Sequence, residues 1–360
     1  MPVNPALKYQ QQLALFNLQA IGLTNSDQYS QLIGLYDQCP KGVSSRLKTT
    51  TSPRIIDRDF KYGDATVQVK LNPSLIRQQT RKKNPDYDPN DPSSPKTISI
   101  EREVFVYPSE RESRIEEALI YIGSQGNLEF NNVDNRLGIY FTLGQLQAIL
   151  KKRGHTMSIS QIKEGIDILR LANIDVQIAS KGNGKLTFTG SRIDGLIIHE
   201  REEWLASKRS PDGPEQRCFC YLHPLAASEV GMGNHTLHDY HLQAKLSSEV
   251  AKALHKRLTA KYSYADPEKE YSVSAVEFLK TTDRGLLTPR KDWQEVQKAL
   301  EQLKDQDIIM LYNLDPVYGD PSNSRKVTDK IIRVWSSPEF KTFMKKANAV
   351  QPKKRDLAVA

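Results

Sequence analysis

The sequence has few cysteines, no long apolar run and no secretory signal, and these features limit the kinds of protein that it can encode. It contains only three cysteines, Cys39, Cys218 and Cys220, in 360 residues. That number is too small for a disulfide framework and favours a reducing compartment. No hydrophobic run approaches the ~20 apolar residues that a bilayer-spanning helix needs, and the N-terminus lacks the basic-then-apolar layout of a secretory signal. We therefore expect a cytoplasmic protein that has no membrane partner.

The net positive charge is small over most of the chain. The formal net charge is +8, but residues 341–360 carry six Lys or Arg against one acid, which leaves about +3 for the rest. Any site for nucleic acid must therefore be a local patch. Residues 143–163 contain four Lys or Arg and no acid, residues 176–193 contain three and no acid, and residues 245–261 contain five and one acid. A solvated helix face is the alternative explanation of each patch.

One order of elements occurs twice in the chain, and the first copy covers residues 142–191. A short amphipathic run ends at Gly154, and Ser158 and Gln161 then have the spacing of a capping box. Two alternating segments follow, with Asn183-Gly184 between them, which is a strong hairpin signal. The apolar positions between the cap and the hairpin share one helical stripe: Ile159, Ile162, Ile166 and Leu169. Helix, turn, helix and hairpin is the order of a winged helix.

The second copy begins roughly 130 residues further on. Thr288-Pro289 supplies an N-cap and a proline at the first helical position. A short apolar run at 273–279 precedes this helix, and strand-like segments at 308–311 and 331–335 follow it. The helix repeats the apolar spacing of the first copy: Trp293, Val296, Leu300 and Leu303. The pattern recurs although the residues differ, and a shared order of four elements is harder to obtain by chance than helical spacing alone.

The remaining segments complete a predicted α+β chain with two winged-helix domains in tandem. Ser113 and Glu116 have capping-box spacing and would start a supporting helix over 115–122, while 67–71 and 98–107 are strand candidates. The predicted division is an N-terminal accessory region at 1–97 with a Pro-rich linker at 79–96, a first winged helix at 98–199, a linker at 200–216, a second winged helix at 217–340 and a basic tail at 341–360.

A family resemblance becomes specific where the second domain starts. The segment Tyr221-Leu222-His223-Pro224-Leu225 is followed by Met232-Gly233-Asn234-His235 and by a helical stretch at 246–258. This succession resembles the start of the second winged helix in plasmid replication initiators, most closely those of the broad-host-range, iteron-binding type. The matching segment covers about 221–262, and the rest of the chain agrees in element order.

The resemblance implies a sequence-specific protein that binds double-stranded DNA at repeated origin sites, called iterons, and initiates plasmid replication. Such proteins melt an adjacent A·T-rich segment and recruit the host replicative helicase and initiator proteins. They are stored as dimers and act on DNA as monomers, without catalytic residues, cofactors or metals. The long region 1–97 departs from the compact members of the family, so its role is left open.

Two other functions remain in view. A transcriptional regulator or autorepressor would use the same winged helices. An origin-nicking enzyme would need a His-hydrophobic-His metal motif beside a nucleophilic tyrosine, and the sequence has no such histidine pair. The cysteines and histidines at 218–241 lack zinc-finger spacing, and Gly184-Lys185 is not a P-loop because Leu186 follows. We therefore expect a protein that is not an enzyme.

The DNA-binding surface is predicted from the second helix of each helix-turn-helix, whose N-terminal turns lie nearest the bases. In the second copy the face opposite the apolar stripe carries Lys291 and Lys298, whereas the corresponding face in the first copy carries Met157 and Glu164. We expect the second domain to bind DNA more strongly. The candidate DNA-binding residues are Lys151, Lys152, Arg153, Ser158, Ser160, Gln161, Lys163, Lys181, Lys185, Arg290, Lys291, Gln294, Lys298, Arg325 and Lys326.

Structural roles remain alternatives for these side chains. Each helical candidate also suits an ordinary solvated surface. Lys181 and Lys185 also suit a charged sheet edge that discourages aggregation.

A dimer interface is predicted on the first domain. Ile168 and Leu171 lie away from the main apolar stripe of their helix, and an exposed apolar patch often marks a partner surface. The alternative is that both residues pack against the 98–107 strand or the hairpin of the same chain.

Overall fold

The chain folds as a mixed α+β protein. The computed structural model describes residues 14–44, 49–50, 52–85, 87, 95–131, 134, 136–180, 184–197, 218–319 and 327–350. Its helices are α1 Glu110–Ser124, α2 Leu143–Lys152, α3 Ile159–Leu171, α4 Pro224–Gly231, α5 Tyr240–Lys245, α6 Glu249–Lys261, α7 Ala275–Lys280, α8 Pro289–Asp305 and α9 Pro338–Val350. Two short 3-10 helices lie at Ser26–Gln28 and Tyr36–Gln38. None of the described helices is long and apolar enough to cross a membrane.

The strands pair antiparallel throughout the described residues. They are β1 Tyr29–Ile33, β2 Thr49–Thr50, β3 Ile56–Tyr62, β4 Ala65–Leu71, β5 Ser74–Lys83, β6 Thr97–Val106, β7 Leu128–Asn131, β8 Arg136–Phe141, β9 Asn173–Ala179, β10 Lys185–Ser191, β11 Ile193–Ile197, β12 Cys218–Leu222, β13 His235–Asp239, β14 Glu270–Ser274, β15 Ile309–Tyr318 and β16 Val327–Ser336. The sheet orders are β1-β13, β10-β9-β4-β3, β11-β12-β8-β7, β14-β16-β15 and β2-β6-β5.

Two large hydrophobic cores organise these elements. The first core takes its side chains from Phe16 through Val230, and the second core takes its side chains from Leu246 through Met344. Helix α9 packs Phe340 and Met344 into the second core, so the part of the predicted basic tail that is described, 341–350, is helical. The division of the chain into domains at the sequence-derived boundaries stays a prediction.

Helix α1 is the central helix of the first core. It buries Ile115, Leu119 and Ile122 completely, as the apolar spacing predicted. The predicted cap at Ser113 and Glu116 is wrong, because the capping box is formed by Ser109 and Glu112 and the helix begins at Glu110. Glu116 is instead turned inward, where the buried guanidinium of Arg192 pairs with it.

The α2–α3 segment forms as its sequence predicted. The Thr142 hydroxyl accepts a hydrogen bond from the main-chain nitrogen of Gln145 at 3.0 Å and caps α2. The Ser158 and Gln161 capping box starts α3, with its two bonds at 2.9 and 3.2 Å. The apolar stripe turns inward, so α3 packs on α1 through its buried side: Ile162, Ile166 and Leu169 are all fully buried.

The hairpin after α3 belongs to a wider sheet than the sequence suggested. Strands β9 and β10 pair from Asn173↔Ser191 to Ala179↔Lys185, which confirms the predicted hairpin. Strand β4, which includes the strand expected at 67–71, pairs with the other edge of β9, and β3 pairs with β4. Residues from the predicted accessory region therefore support the hairpin.

Strands β5 and β6 form a long ribbon, and β2 pairs with β6 only at its root, at Phe105 and Val106. Their pairing continues without a shift from Ser74↔Val106 to Lys83↔Thr97. Residues 79–83, assigned from sequence to the Pro-rich linker, thus belong to a strand. The prolines lie further along the chain and do not interrupt the ladder.

The second core is built on α6, α7 and α8. Helix α8 begins at Pro289 with Thr288 as its N-cap, as predicted. Strands β15 and β16 form the expected hairpin, and β14 completes a sheet by pairing with β16. Val296, Leu300 and Leu303 of α8 are fully buried.

The two cores meet along a polar junction between α1 and α6. Lys252 pairs with Glu110 at 3.3 Å, and Lys256 pairs with Glu117 at 2.6 Å. A cavity of about 100 Å³ beside these pairs is lined by charged side chains of both cores. Because attraction between opposite charges strengthens as water is excluded, these pairs fix how the cores face each other.

Candidate nucleic-acid interface

Helix α8 offers the most basic ordered surface among the candidates. Asp292 fixes the start of the helix, since its carboxylate accepts hydrogen bonds from Arg284 at 2.8 Å and from the main-chain nitrogen of Leu287 at 3.2 Å. With one face buried in the second core, the opposite face is directed to solvent. Four predicted site residues lie exposed there: Arg290, Lys291, Gln294 and Lys298. They can donate to phosphate oxygens and to base edges.

Counter-charges on this face are weak. Lys298 lies 3.6 Å from Glu295, but its side chain is 65% exposed, and an exposed pair of this kind contributes little. Lys330 of β16 places its ammonium 5.9 Å from the ring centroid of Trp293 and adds a cation beside the helix. Sequence reasoning missed Lys330 because only the folded hairpin brings it near α8.

The hairpin of the second core contributes less free charge than its sequence suggests. Arg333 of β16 pairs with Asp315 at 2.6 Å and also with Glu270. Arg325 and Lys326, two of the predicted DNA-binding residues, lie outside the described residues.

The first core brings another set of candidates to the start of α3. Ser158, Ser160 and Gln161 are exposed in its first turn, although the Gln161 side chain is engaged in the capping box. Lys163 is half-buried. Glu164 pairs with Arg111 at 3.3 Å, which offsets the acid that stands near the middle of this face.

The basic end of α2 divides into exposed and buried side chains. Lys151 and Lys152 are exposed, and Lys152 lies 3.4 Å from Asp27. Arg153 is only 6% exposed. Its guanidinium stacks 4.3 Å from the ring centroid of Tyr240 and donates to the main-chain oxygen of Asp27. Of the three adjacent cations, Arg153 is therefore occupied within the protein and does not face a DNA surface.

Two further expectations about exposure are corrected by packing. Met157, expected on the outer face of α3, is buried in the first core. Ile168, expected in an exposed dimer patch, is fully buried against Ile76 and Val106 of the β5–β6 ribbon. Leu171 is 41% exposed. The intramolecular alternative therefore holds for Ile168, because the ribbon supplies the apolar surface that covers it.

The hairpin β9–β10 presents Lys185 to solvent at the start of β10. Lys181 lies outside the described residues. The exposed position of Lys185 suits contact with a phosphate but does not by itself separate that role from a charged sheet edge.

The cysteines and histidines at 218–241 have structural positions. Cys218 and Cys220 are buried on one face of β12 in the first core. The Nδ1 atom of His223 accepts a hydrogen bond from the main-chain nitrogen of Leu225 and caps α4. Within the described part of the chain, no group of three or more potential ligands has the geometry to hold a metal ion.

Comparisons with known proteins give similarity in structure only. No protein-family model and no curated protein matches the chain. A crystal structure of domains 2 and 3 of RctB has a TM-score of 0.43 at 11% identity, covering 84% of this chain and 96% of that one. A second structure of these RctB domains has a TM-score of 0.40 at 10% identity, covering 86% and 99%.

A third similar structure is the Pi initiator protein in complex with iteron DNA, with a TM-score of 0.35 at 13% identity, covering 62% of this chain and 91% of that one. The structural neighbours thus include an initiator protein, the kind of protein that the sequence resemblance named.

Proposed function

We propose that this chain is a sequence-specific DNA-binding protein that recognises repeated origin sites and initiates plasmid replication. The observation that carries the proposal is the exposed face of α8, where Arg290, Lys291, Gln294 and Lys298 are directed to solvent. The opposite face of the same helix is buried, so these side chains are presented on a fixed support. A helix that offers both cations and an amide suits phosphates and base edges together.

In this proposal the second core is a winged helix. Helices α7 and α8 form the helix-turn-helix, α6 supports them, and β15–β16 is the wing. The pairing of β14 with β16 supports this assignment, since it ties the wing to the strand that precedes the helix-turn-helix. Helix α8 would enter the major groove with its N-terminal turns nearest the bases.

The first core would form the second winged helix of the tandem. Helices α2 and α3 follow α1, and the β9–β10 hairpin follows α3, which repeats the order of elements in the second core. The wing of this unit pairs with β4 instead of a strand from between its helices. With Arg153 turned inward, the DNA contacts of this unit would come from Lys151, Lys152, Lys163, Lys185 and the first turn of α3, together with Lys181, which lies outside the described residues.

Binding by both units would cover adjacent major grooves. The polar junction supports this geometry because its ion pairs join α1 and α6, the supporting helices of the two units. We expect footprints over about two helical turns, each ~34–36 Å long. Protection confined to a single turn would contradict the tandem arrangement.

The later steps of initiation are proposed from the family resemblance alone. They are melting of an A·T-rich segment, recruitment of the host helicase and initiator proteins, and a storage dimer that dissociates into DNA-binding monomers. Opening of a supercoiled origin plasmid, followed with a single-strand-specific reagent, tests the melting step. A protein that binds its repeats but never opens the origin would instead be a transcriptional regulator.

Substitutions on α8 test the DNA-binding step. We expect Lys291→Ala and Lys298→Ala to weaken binding to the repeats, each by ~1–3 kcal/mol at one base pair if the lysine reads a base. A lysine that contacts phosphate would instead lower the salt slope by about 1 for every DNA sequence. Lys304→Ala is the matched control, since Lys304 is an exposed lysine near the other end of α8. Unchanged binding in both test variants would show that this face of α8 does not meet DNA.

A further inference from the structure

We propose that the β5–β6 ribbon is a third DNA-contacting element, which grips phosphates beside the site reached by α3. The inference rests on the proposed function and adds a contact outside the helix-turn-helix and the wing of both units. Three observations support it: the attachment of the ribbon to α3, the length of the ribbon and the distribution of its charged residues.

The root of the ribbon lies on the outer side of α3. Ile76 of β5 and Val106 of β6 bury Ile168 between them. Ile168 follows Ile166 of the core stripe by two residues, a rotation of about 200° around the helix. The ribbon is therefore attached to the side of α3 that faces away from the first core, in the C-terminal half of the helix. Nine residues, or about 14 Å along the helix axis, separate Ile168 from the first residue of α3, Ile159.

From this root the ribbon extends into solvent. Seven residues separate Ile76 from Lys83, and the strands remain paired over that length. At ~3.3 Å per residue the ribbon reaches about 23 Å beyond its root. Glu101, Arg102 and Glu103 are consecutive and all exposed. Because successive strand residues point to opposite faces, both faces of the ribbon are open to solvent there.

Charge along the ribbon is unequal. Its two acids, Glu101 and Glu103, lie toward the root, and Glu103 is 3.4 Å from Arg77. Near the far end Lys82, Lys83 and Lys96 are exposed, and none of the three has an ion-pair partner among the described residues. Lys96 lies 6.0 Å from the ring centroid of Tyr87. The described strand residues at the far end are thus cationic, as a phosphate contact requires. The sequence of the loop that joins the two strands also contains Asp86, Asp88 and Asp91.

The occupant that fits this position is double-stranded DNA. The β5–β6 ribbon is attached to α3 and extends further than the diameter of that helix. It would therefore run alongside a DNA duplex that α3 holds. Lysines that have no acidic partner among the described residues can supply phosphate contacts, which carry no sequence information. The ribbon would therefore add affinity and a wider footprint, and it would not change which sequence is preferred.

The test compares the full-length protein with a Lys82→Ala/Lys83→Ala/Lys96→Ala variant on repeat DNA and on random DNA. Each phosphate contact contributes about 0.9 to the slope of log affinity against log salt. We expect the triple variant to lose roughly 2 to 3 units of this slope and to weaken by the same factor on both DNAs. In hydroxyl-radical footprints it should lose protection at one flank while the central protection remains.

The matched control is Lys61→Ala/Lys304→Ala/Lys345→Ala, which removes three exposed lysines from other elements. It should keep the wild-type slope and flank protection. A triple ribbon variant with wild-type slope and footprint would overturn the inference and leave the proposed function standing. Tighter binding by that variant would also overturn it, since the ribbon would then obstruct DNA. Failure of the wild type to prefer repeat DNA over random DNA would overturn both.

Discussion

The guanidinium of Arg58 donates a hydrogen bond to the main-chain oxygen of Asp283, with 2.8 Å between Nη2 and the oxygen. Its Nη1 atom donates to the oxygen of Thr282 at 2.7 Å. The carboxylate of Asp283 in turn accepts a hydrogen bond from the main-chain nitrogen of Gly42 at 2.8 Å. Arg58 and Gly42 belong to the first part of the chain, whereas Thr282 and Asp283 form the turn before α8. The start of the proposed recognition helix is thus tied to the first core.

Removing this tie should loosen α8 relative to the first core. We expect Arg58→Ala to lower the free energy of unfolding by about 1.5–3 kcal/mol, the range for hydrogen bonds to a charged group. The affinity for DNA that spans both sites should fall, while the affinity for a single half-site is retained. Urea unfolding and fluorescence anisotropy on the two DNA lengths measure these effects. Lys61→Ala on the same strand is the control, because Lys61 is exposed; equal losses in both variants would contradict the coupling.

The buried pair of Arg192 and Glu116 should dominate the stability of the first core. Arg192 is fully buried, its Nε atom donates to Glu116 at 3.2 Å, and Lys41 lies 3.1 Å from the same carboxylate. Burial alone would raise the pKa of Glu116, but the charges of Arg192 and Lys41 outweigh burial and hold that pKa well below its usual range. We expect Arg192→Met to cost about 3–5 kcal/mol, because it leaves the carboxylate poorly paired.

Urea unfolding provides the measurement for Arg192→Met. Arg170→Met, which alters an exposed arginine, should change stability by no more than about 0.5 kcal/mol. Adding Glu116→Gln to Arg192→Met should recover part of the loss, since it removes the uncompensated charge. A loss below about 1 kcal/mol in the single variant would refute the assigned role of the pair.

Glu249 at the start of α6 should make stability depend on pH near neutrality. Burial, together with the nearby carboxylates of Glu110 and Asp283, raises its pKa from 4.5 to about 7. A carboxyl group with a raised folded-state pKa contributes stability that is present below pH 4.5 and is lost as the pH rises to about 7. We expect Glu249→Gln to be more stable than the wild type at pH 8 and to approach it at pH 4. Glu268→Gln, at an exposed position, is the control. A difference in thermal stability between Glu249→Gln and the wild type that is the same at pH 8 and pH 4 would contradict this assignment.

The neighbouring rings of His238 and His255 should give the stability a pH dependence in the opposite direction. Their ring centroids are 4.7 Å apart and both side chains are buried. Burial and the nearby Lys256 lower the pKa of His255 to about 3, and burial with the charges of His255 and Lys256 lowers the pKa of His238 well below 6.5. The unfolded chain takes up these protons first, so the stability that they contribute is present above pH 6.5 and is lost as the pH falls toward 3.

Below pH 6.5, each of these histidines adds up to about 1.4 kcal/mol per pH unit to the decrease in the free energy of unfolding as the pH falls. We expect the free energy of unfolding of His255→Phe to depend less on pH than that of the wild type between pH 6 and 4. Titration of the histidine ring protons by NMR checks the cause directly, because a buried pair should not titrate near pH 6.5 in the folded protein. Two ring signals that titrate normally would exclude the explanation.

Local elements were predictable because their signals are local. The Ser158–Gln161 capping box and the stripe at Ile162 and Ile166 lie within one helix or directly at its start. Thr288-Pro289 likewise lies directly at the start of α8, with Pro289 as its first residue. Pairing between distant segments has no comparable signal. Strand β4 joins β9 across more than a hundred residues of chain, and no short-range pattern names that partner.

Side-chain environments were harder to predict than elements for the same reason. Arg153 reads as one of three basic residues in sequence, but Tyr121 and Tyr240 come from separate parts of the chain to enclose it. The sequence predicts an exposed Ile168, but in the structure the β5–β6 ribbon covers this residue. At α8, by contrast, the outer face could be inferred correctly, because one continuous apolar stripe determines which side turns to solvent.

Strand β1 pairs with β13, so during synthesis β1 cannot complete this pairing until β13 has been made. Gln31 of β1 contacts His235 of β13, 204 residues further along. At typical synthesis rates of 5–20 residues per second, β1 is made roughly 10–40 s before its partner strand. During that interval its edge is open to wrong partners, as unpaired strand edges in nascent chains are. Slower translation would therefore lengthen the period in which β1 depends on a chaperone or on temporary contacts with the first core.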